Sequence, residues 1–126
     1  MADRAYHHIH LELAREPSAP GGDARLGYDV VAPLTAEGRL DVDGCRADPD
    51  RCRVRRFRDG ETEDVGVLRS RRGGGWVFDF DEGEADDEAG FRLDDEQFQP
   101  GEYVSVRMTD GQMHTFRVVT VRRLEG

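Results

Sequence analysis

The chain has 126 residues, 37% of them apolar, and its 27 acidic side chains outnumber 18 basic ones to give a net charge of −9. This length fits a single domain spanning residues 1–126, with an apolar fraction below the ~45–50% of typical globular chains. No apolar run reaches ten residues, so we expect a cytoplasmic protein with neither a membrane-spanning helix nor a secretory leader.

Two cysteines, Cys45 and Cys52, are separated by six residues. In a reducing cytoplasm both thiols are expected to stay free. A Cys-x6-Cys pair without a second pair is also poor spacing for zinc.

The first predicted element is a half-buried strand at residues 5–15, where apolar and polar residues alternate with period two. Its core face carries the apolar residues Ile9, Leu11 and Leu13. Its opposite face carries two imidazoles and a carboxylate, namely His8, His10 and Glu12. A turn-rich stretch from Pro17 to Gly22 ends the strand.

The middle of the chain predicts further strands with one short helical turn among them. A turn of helix is expected at residues 41–48, and Pro49 would end it. Strands are predicted at residues 27–32, 52–58, 65–70 and 76–80. Three consecutive glycines make residues 71–75 a loop, and carboxylates crowd a second, mobile loop at residues 81–88.

The last third predicts three more strands, at residues 91–93, 102–108 and 112–123, with a helical turn at residues 94–97. The complete pattern is seven or eight short strands without a helix longer than two turns. Closely spaced strands with Gly and Pro turns predict an all-β fold, a small antiparallel barrel or sandwich. Twelve residues are predicted to form its core: Ile9, Leu11, Leu13, Val30, Val54, Trp76, Phe78, Phe80, Val104, Val106, Phe116 and Val118.

The last hairpin allows a prediction of register. A two-residue turn at Asp110-Gly111 would pair Val104 with Arg117 and mix apolar with charged residues on one face. A three-residue loop, Thr109-Asp110-Gly111, pairs Val104 with Phe116 and keeps the apolar residues together, as burial requires. That loop needs a left-handed residue in its last position, and Gly111 supplies it.

Charge is segregated along the sequence. Residues 79–96 contain ten acidic residues and one basic residue, Arg92, a local net charge equal to that of the whole chain. Residues 51–72 contain eight arginines against four acids. In one interpretation of this pattern, the acidic loop and the basic strands are solvated surfaces that attract each other. In another, they form a binding surface.

The binding interpretation centres on Arg51, Arg53 and Arg55, which alternation places on one face of a strand. Such a row can bind an anionic partner. Because the net charge of −9 opposes the approach of a polyanion, a protein partner is expected here and nucleic acid is not.

A second interpretation concerns metal binding by His8, His10 and Glu12. Strand-borne His-x-His is a known metal-ligand spacing, since a period of two aims both rings the same way. These three residues therefore form a candidate metal site. One observation speaks against this site. His8 and His10 face away from the core, whereas His114, the later histidine that could complete such a ligand set, lies on the core side.

Four segments, HHIHLEL, GYDVVAPL, RCRVRRF and PGEYVSV, resemble a family of short acidic proteins found mainly in alphaproteobacteria. This resemblance covers nearly the whole chain and implies a bacterial origin, but it implies no activity and no site residues.

A local resemblance concerns residues 98–104, FQPGEYV, which are similar to a strand of ferredoxin-reductase-type flavin-binding barrels. In that family an Arg-x-Tyr-Ser/Thr motif follows and holds the flavin. Residues 117–120, RVVT, lie at a comparable distance, with Val119 in place of the tyrosine. The resemblance implies a flavin as a possible cofactor, although the ring contact of the tyrosine would be lost.

The sequence contains neither a Gly-x-Ser-x-Gly motif nor a P-loop, so an enzyme with its own nucleophile is not expected. We therefore expect a non-enzymatic binding or interaction module without a bound cofactor, which presents an acidic loop and an arginine-rich strand face to a protein partner. The alternative is a metal- or cofactor-binding β-barrel that uses His8, His10 and Glu12.

Overall fold

The structure is a computed structural model that describes residues 6–16, 20–70, 76–80, 88–91, 97–108 and 111–124. Antiparallel strands follow one another around a closed barrel, in which each strand pairs with the next and the last pairs with the first. The strands are β1 (Tyr6–Leu13), β2 (Asp23–Pro33), β3 (Arg53–Arg58), β4 (Glu61–Ser70), β5 (Trp76–Phe80), β6 (Glu88–Phe91), β7 (Tyr103–Arg107) and β8 (Met113–Arg123). The predicted small antiparallel barrel is confirmed.

The barrel interior is apolar because alternate residues of every strand point inward. All twelve residues predicted for the core are buried, with at most 6% of their surface exposed. Tyr28, which the sequence analysis did not place in the core, is also fully buried. Its ring makes edge-on contacts with Phe78 at 4.9 Å and Phe116 at 5.0 Å between centroids.

The predicted register of the β7–β8 hairpin is confirmed. Val104 lies opposite Phe116, and Val106 lies opposite His114. Gly111 has a φ of 81°, in the left-handed region that the three-residue loop requires. Thr109 and Asp110 lie outside the described residues.

Several strand boundaries differ from the prediction. Strand β4 begins at Glu61, four residues earlier than expected, because its acidic start pairs across the ladder with arginines of β3. Arg58 Nε lies 2.7 Å from Glu63 Oε2, and Arg56 forms an ion pair with Asp64. Such cross-strand ion pairs offset the low strand propensity of acidic residues.

Two other strands also begin earlier than predicted. Strand β2 begins at Asp23 rather than at residue 27, and β6 begins at Glu88 rather than at residue 91. The predicted loop at residues 71–75, most of the loop at residues 81–88 and most of the helical turn at residues 94–97 lie outside the described residues.

The connection between β2 and β3 contains helix α1 (Val42–Ala47) and a 3-10 helix (Pro49–Arg51). This confirms the helical turn predicted at residues 41–48. Asp41 caps α1, since its side chain accepts a hydrogen bond of 3.0 Å from the Gly44 backbone N–H. No helix within the described part of the chain has the length and apolar character needed to cross a membrane.

The same connection lies against Tyr6 at the start of β1. The guanidinium of Arg51 lies 3.9 Å from the centroid of the Tyr6 ring, a cation–π contact. The Tyr6 hydroxyl is buried, and the described residues offer it no hydrogen-bond partner. Burial, above all, raises the pKa of this phenol above its ordinary value.

Replacing Trp76 with alanine should destabilise the barrel by about 3–5 kcal/mol, because the side chain is only 3% exposed and its loss leaves a cavity. The control is Val65→Ala, whose side chain is 48% exposed, with an expected cost below about 0.5 kcal/mol. Urea denaturation measures both. Equal small costs for the two variants would contradict the burial of Trp76.

The Tyr6→Phe variant should be as stable as the wild type near neutral pH, or up to about 1 kcal/mol more stable, because it removes a buried hydroxyl without a partner. The pKa of the Tyr6 phenol is higher in the folded than in the unfolded chain. Its neutral form therefore stabilises the fold fully below pH ~10, the ordinary pKa of tyrosine, and this stabilisation is lost as the pH rises through the raised pKa of the folded state. The variant should therefore lose less stability in alkali.

Urea denaturation from pH 7 to about 11 tests this expectation, with Tyr103→Phe, at a 54% exposed site, as the control. A destabilisation of Tyr6→Phe by more than about 1 kcal/mol at pH 7 would show that the hydroxyl has a partner.

Candidate functional site

The register of the first three strands brings polar side chains together on the outer face of the barrel. His10 of β1 lies opposite Asp29 of β2, and Asp29 lies opposite Arg55 of β3. In the neighbouring row, His8 lies opposite Val31, which lies opposite Arg53. Directly paired residues of an antiparallel sheet share a face, so these side chains form one patch.

Asp29 is the centre of this patch, because three side chains from two other strands share its carboxylate. Its Oδ1 lies 3.0 Å from His8 Nε2 and 2.7 Å from His10 Nδ1, and its Oδ2 accepts a hydrogen bond from Arg55 Nη1. The Asp29 side chain is only 13% exposed. A carboxylate so far removed from water is stabilised by charge-assisted hydrogen bonds of this kind.

His10 connects two carboxylates. Its Nδ1 faces Asp29, and its Nε2 lies 3.0 Å from Glu12 Oε2. The ring therefore lies between the Asp29 and Glu12 carboxylates, which can accept a hydrogen bond from its N–H.

Phe57 fixes the position of the His10 ring. The two rings are stacked with parallel planes and centroids 5.2 Å apart. The Phe57 ring crosses β2 above Gly27, where a Cβ atom would lie 2.8 Å from Phe57 Cζ and would overlap the Leu11 carbonyl oxygen. Gly27 therefore makes room for the stacked pair, and a side chain at this position would displace it.

A groove of about 350 Å³ lies beside this network. Its polar lining consists of His8, Asp29, Arg53 and Arg55, and Val31 and Val65 contribute apolar surface. His8 Nδ1 is buried and has no hydrogen-bond partner among the described residues. The groove thus offers cationic and apolar surface next to each other.

The predicted row of three arginines is, in the structure, a row of two. Arg51 lies before β3, in the 3-10 helix, where it contacts Tyr6 and lies 4.0 Å from Asp48. The predicted strand at residues 52–58 begins one residue later in the structure, at Arg53, and Arg51 belongs to the helical turn that Pro49 begins, so it does not continue the strand face. Arg53 and Arg55 both lie on the outer face, but Arg55 is held by Asp29 and by Thr62, 2.6 Å from its Nε.

The three residues of the predicted metal site are close together on the outer face. However, His10 already contacts Glu12 and Asp29, and His8 contacts Asp29. Within the described ranges, no group of three or more His, Cys, Asp or Glu side chains is arranged to hold a metal ion. Metal binding by His8, His10 and Glu12 stays a prediction.

The two segments of the flavin-type resemblance lie next to each other, since Tyr103 of β7 lies opposite Arg117 of β8. Both line a cleft of about 580 Å³, together with Glu12 and the chain around Gly21 and Gly22. This cleft is larger than the groove, but the groove is lined by His8, Asp29 and Arg55 of the hydrogen-bonded network. We therefore take the groove as the candidate site, and flavin binding stays a prediction.

Comparisons of the chain with protein-family models, curated proteins and solved structures found no match. The resemblance to short acidic alphaproteobacterial proteins therefore also stays a prediction, and the function is argued from the site alone.

Replacing Asp29 with alanine should destabilise the protein by about 1–3 kcal/mol, because it removes the acceptor shared by two histidines and Arg55. The control is Asp23→Ala on the same strand, where the ion pair with the exposed Arg25 is 3.6 Å long and should contribute less than about 1 kcal/mol. Chemical denaturation of both variants measures the difference. Equal costs would show that the network does not stabilise the barrel.

Proposed function

We propose that the protein is a non-enzymatic binding module that holds an acidic segment of a partner protein in the groove on the outer face of β1 to β3. The observation that carries this proposal is Arg53, an exposed cation at the groove that has no ion pair with any described residue. The groove is lined by two guanidinium groups, Arg53 and Arg55, and one carboxylate, Asp29, so its lining has one positive charge to spare.

The surroundings of Arg53 add to this positive character. Arg122 of β8 lies opposite His8 and is also exposed. His8 contacts Asp29 through Nε2, and its Nδ1 is buried, without a hydrogen-bond partner in the described part of the chain. A carboxylate that enters the groove meets Arg53 directly, and charge-assisted hydrogen bonds to arginine are among the stronger polar contacts.

The apolar part of the groove favours a peptide over a free anion. Val65 is 48% exposed, and Val31 is half-buried beside it. A segment that alternates acidic and apolar residues could place its carboxylates on Arg53 and its apolar side chains on the valines. Exposed apolar surface next to paired polar groups is typical of protein interaction sites.

Nucleic acid fits this surface less well. The chain carries a net charge of −9, which repels a long polyanion and slows encounter. Phe57, the aromatic residue of the patch, is 4% exposed and is covered by His10, so it offers no stacking platform for a base. A short acidic segment meets less repulsion, because salt screens charges beyond ~8 Å.

The lining of the groove lacks the nucleophiles of serine- and cysteine-type enzymes. Its residues are His8, Asp29, Val31, Arg53, Val54, Arg55, Val65 and Gly66. This set contains neither a hydroxyl nor a thiol nucleophile. The predicted acidic loop remains the second element of the proposal, and residues 81–87 of it lie outside the described residues.

An amide NMR titration with a peptide of alternating Glu and Val residues tests the proposal. We expect shifts at the groove residues, and a peptide with Gln in place of Glu should cause smaller ones. Arg53→Ala should raise Kd about tenfold, because one charge-assisted hydrogen bond contributes about 1.5 kcal/mol.

The matched control is Arg107→Ala, which removes the same charge from exposed surface on β7, away from the groove. It should change Kd by less than about twofold. Equal losses for the two variants would indicate unspecific attraction. Shifts at His8 and His10 on addition of zinc, without shifts on addition of peptide, would favour the metal-binding alternative.

A further inference from the structure

The two cysteines lie together in the connection between β2 and β3, away from the groove network. Cys45 belongs to α1, and Cys52 lies between the 3-10 helix and β3. Both are free thiols in the apolar core, 4% and 0% exposed. Both belong to one cluster of buried side chains, in which the Cys45 and Cys52 thiols hydrogen-bond to each other, so the two sulfur atoms are neighbours in the folded chain.

The backbone holds both cysteines at defined places. The Cys45 N–H donates to the Asp41 carbonyl oxygen at 3.0 Å, within the capped first turn of α1. The Cys52 carbonyl oxygen accepts from the Leu68 N–H of β4 at 2.9 Å. The contact between the thiols therefore follows from the fold of this connection and does not depend on a flexible loop.

We propose that Cys45 and Cys52 are a reversible oxidation site, which closes into an intramolecular disulfide when a peroxide reaches it. The site is independent of the proposed binding function.

The surroundings assign different roles to the two sulfurs. The hydrogen bond with Cys45 lowers the pKa of Cys52 and outweighs burial, which raises it; the smaller effects of the Asp48 carboxylate and the Arg51 guanidinium oppose each other. The same hydrogen bond, together with burial, raises the pKa of Cys45. Because the thiolate is the nucleophile, Cys52 attacks the oxidant and Cys45 resolves the product.

The reaction balances in two steps. The Cys52 thiolate attacks one oxygen of the peroxide, the O–O bond breaks, and hydroxide leaves and takes up a proton to become water. The resulting Cys52 sulfenic acid is attacked by the Cys45 sulfur, which gives up its proton as the S–O bond breaks and a second water leaves. Two thiols are oxidised by two electrons, and one peroxide is reduced to water.

Access and closure both require a small movement of the connection. The sulfurs must approach from hydrogen-bond distance to the ~2.05 Å of a disulfide. Helix α1 has only six residues, and such a short helix depends on its packing for stability. Local opening of α1 is therefore a low-cost fluctuation that admits a molecule as small as hydrogen peroxide.

The test treats the full-length wild-type protein with hydrogen peroxide and determines its intact mass and its tryptic peptides without reduction. The expected product is lighter by two hydrogen atoms and contains a crosslink between the peptides of Cys45 and Cys52, which trypsin separates by cleaving after Arg46 and Arg51. Dithiothreitol should restore both thiols. The oxidised form should melt about 5–10 °C higher, because the crosslink constrains the unfolded chain.

Two single variants test the assigned roles. In Cys45→Ala, Cys52 should form a sulfenic acid that dimedone traps. In Cys52→Ala, Cys45 should react at least several-fold more slowly, and circular dichroism checks that both variants are folded. Two intact thiols after excess peroxide in the wild type, a mass gain from sulfinic acid, or a crosslink between chains would each overturn the proposal.

Discussion

The hydrogen bonds between β1 and β8 determine the character of the whole molecule, because they convert a sheet with two open edges into a closed barrel. Closure gives every strand one inward and one outward face. The inward faces are filled by aromatic and branched side chains, which pack as a core. The outer wall and the ends of the barrel are therefore the surfaces that solvent reaches, and most of the charged residues lie there.

The candidate site is a network of polar side chains on the outer wall of the barrel. Its side chains come from strands adjacent both in the chain and in the sheet, so backbone hydrogen bonds hold them at fixed spacing. Three side chains contact the Asp29 carboxylate, whereas Arg53 has no ion pair with the residues that the structure describes. The proposal that the groove binds an anionic group rests on this contrast between the paired centre and the exposed cation beside it.

The sequence predicts the inner face better than the site. A hairpin loop ending at Gly111 admits one register that keeps apolar residues together, so the β7–β8 pairing could be predicted. The turn between β1 and β2 has no such constraint, and the contact of His10 with Asp29 depends on it. In β3, the rule that apolar side chains point inward and charged side chains point outward gives the wrong faces for two residues. Arg56 points inward, where Asp64 neutralises it, and Phe57 points outward over Gly27.

The order of the strands affects how the chain reaches its native state. Seven of the eight ladders join strands that follow each other in the sequence, so each hairpin can form with little loss of chain entropy. Only the ladder between β1 and β8 joins the two ends. During synthesis the growing sheet thus exposes unpaired edges on β1 and on its newest strand until β8 emerges. The carboxylates that crowd residues 79–96 are made before that last strand, and their repulsion would keep incomplete chains apart.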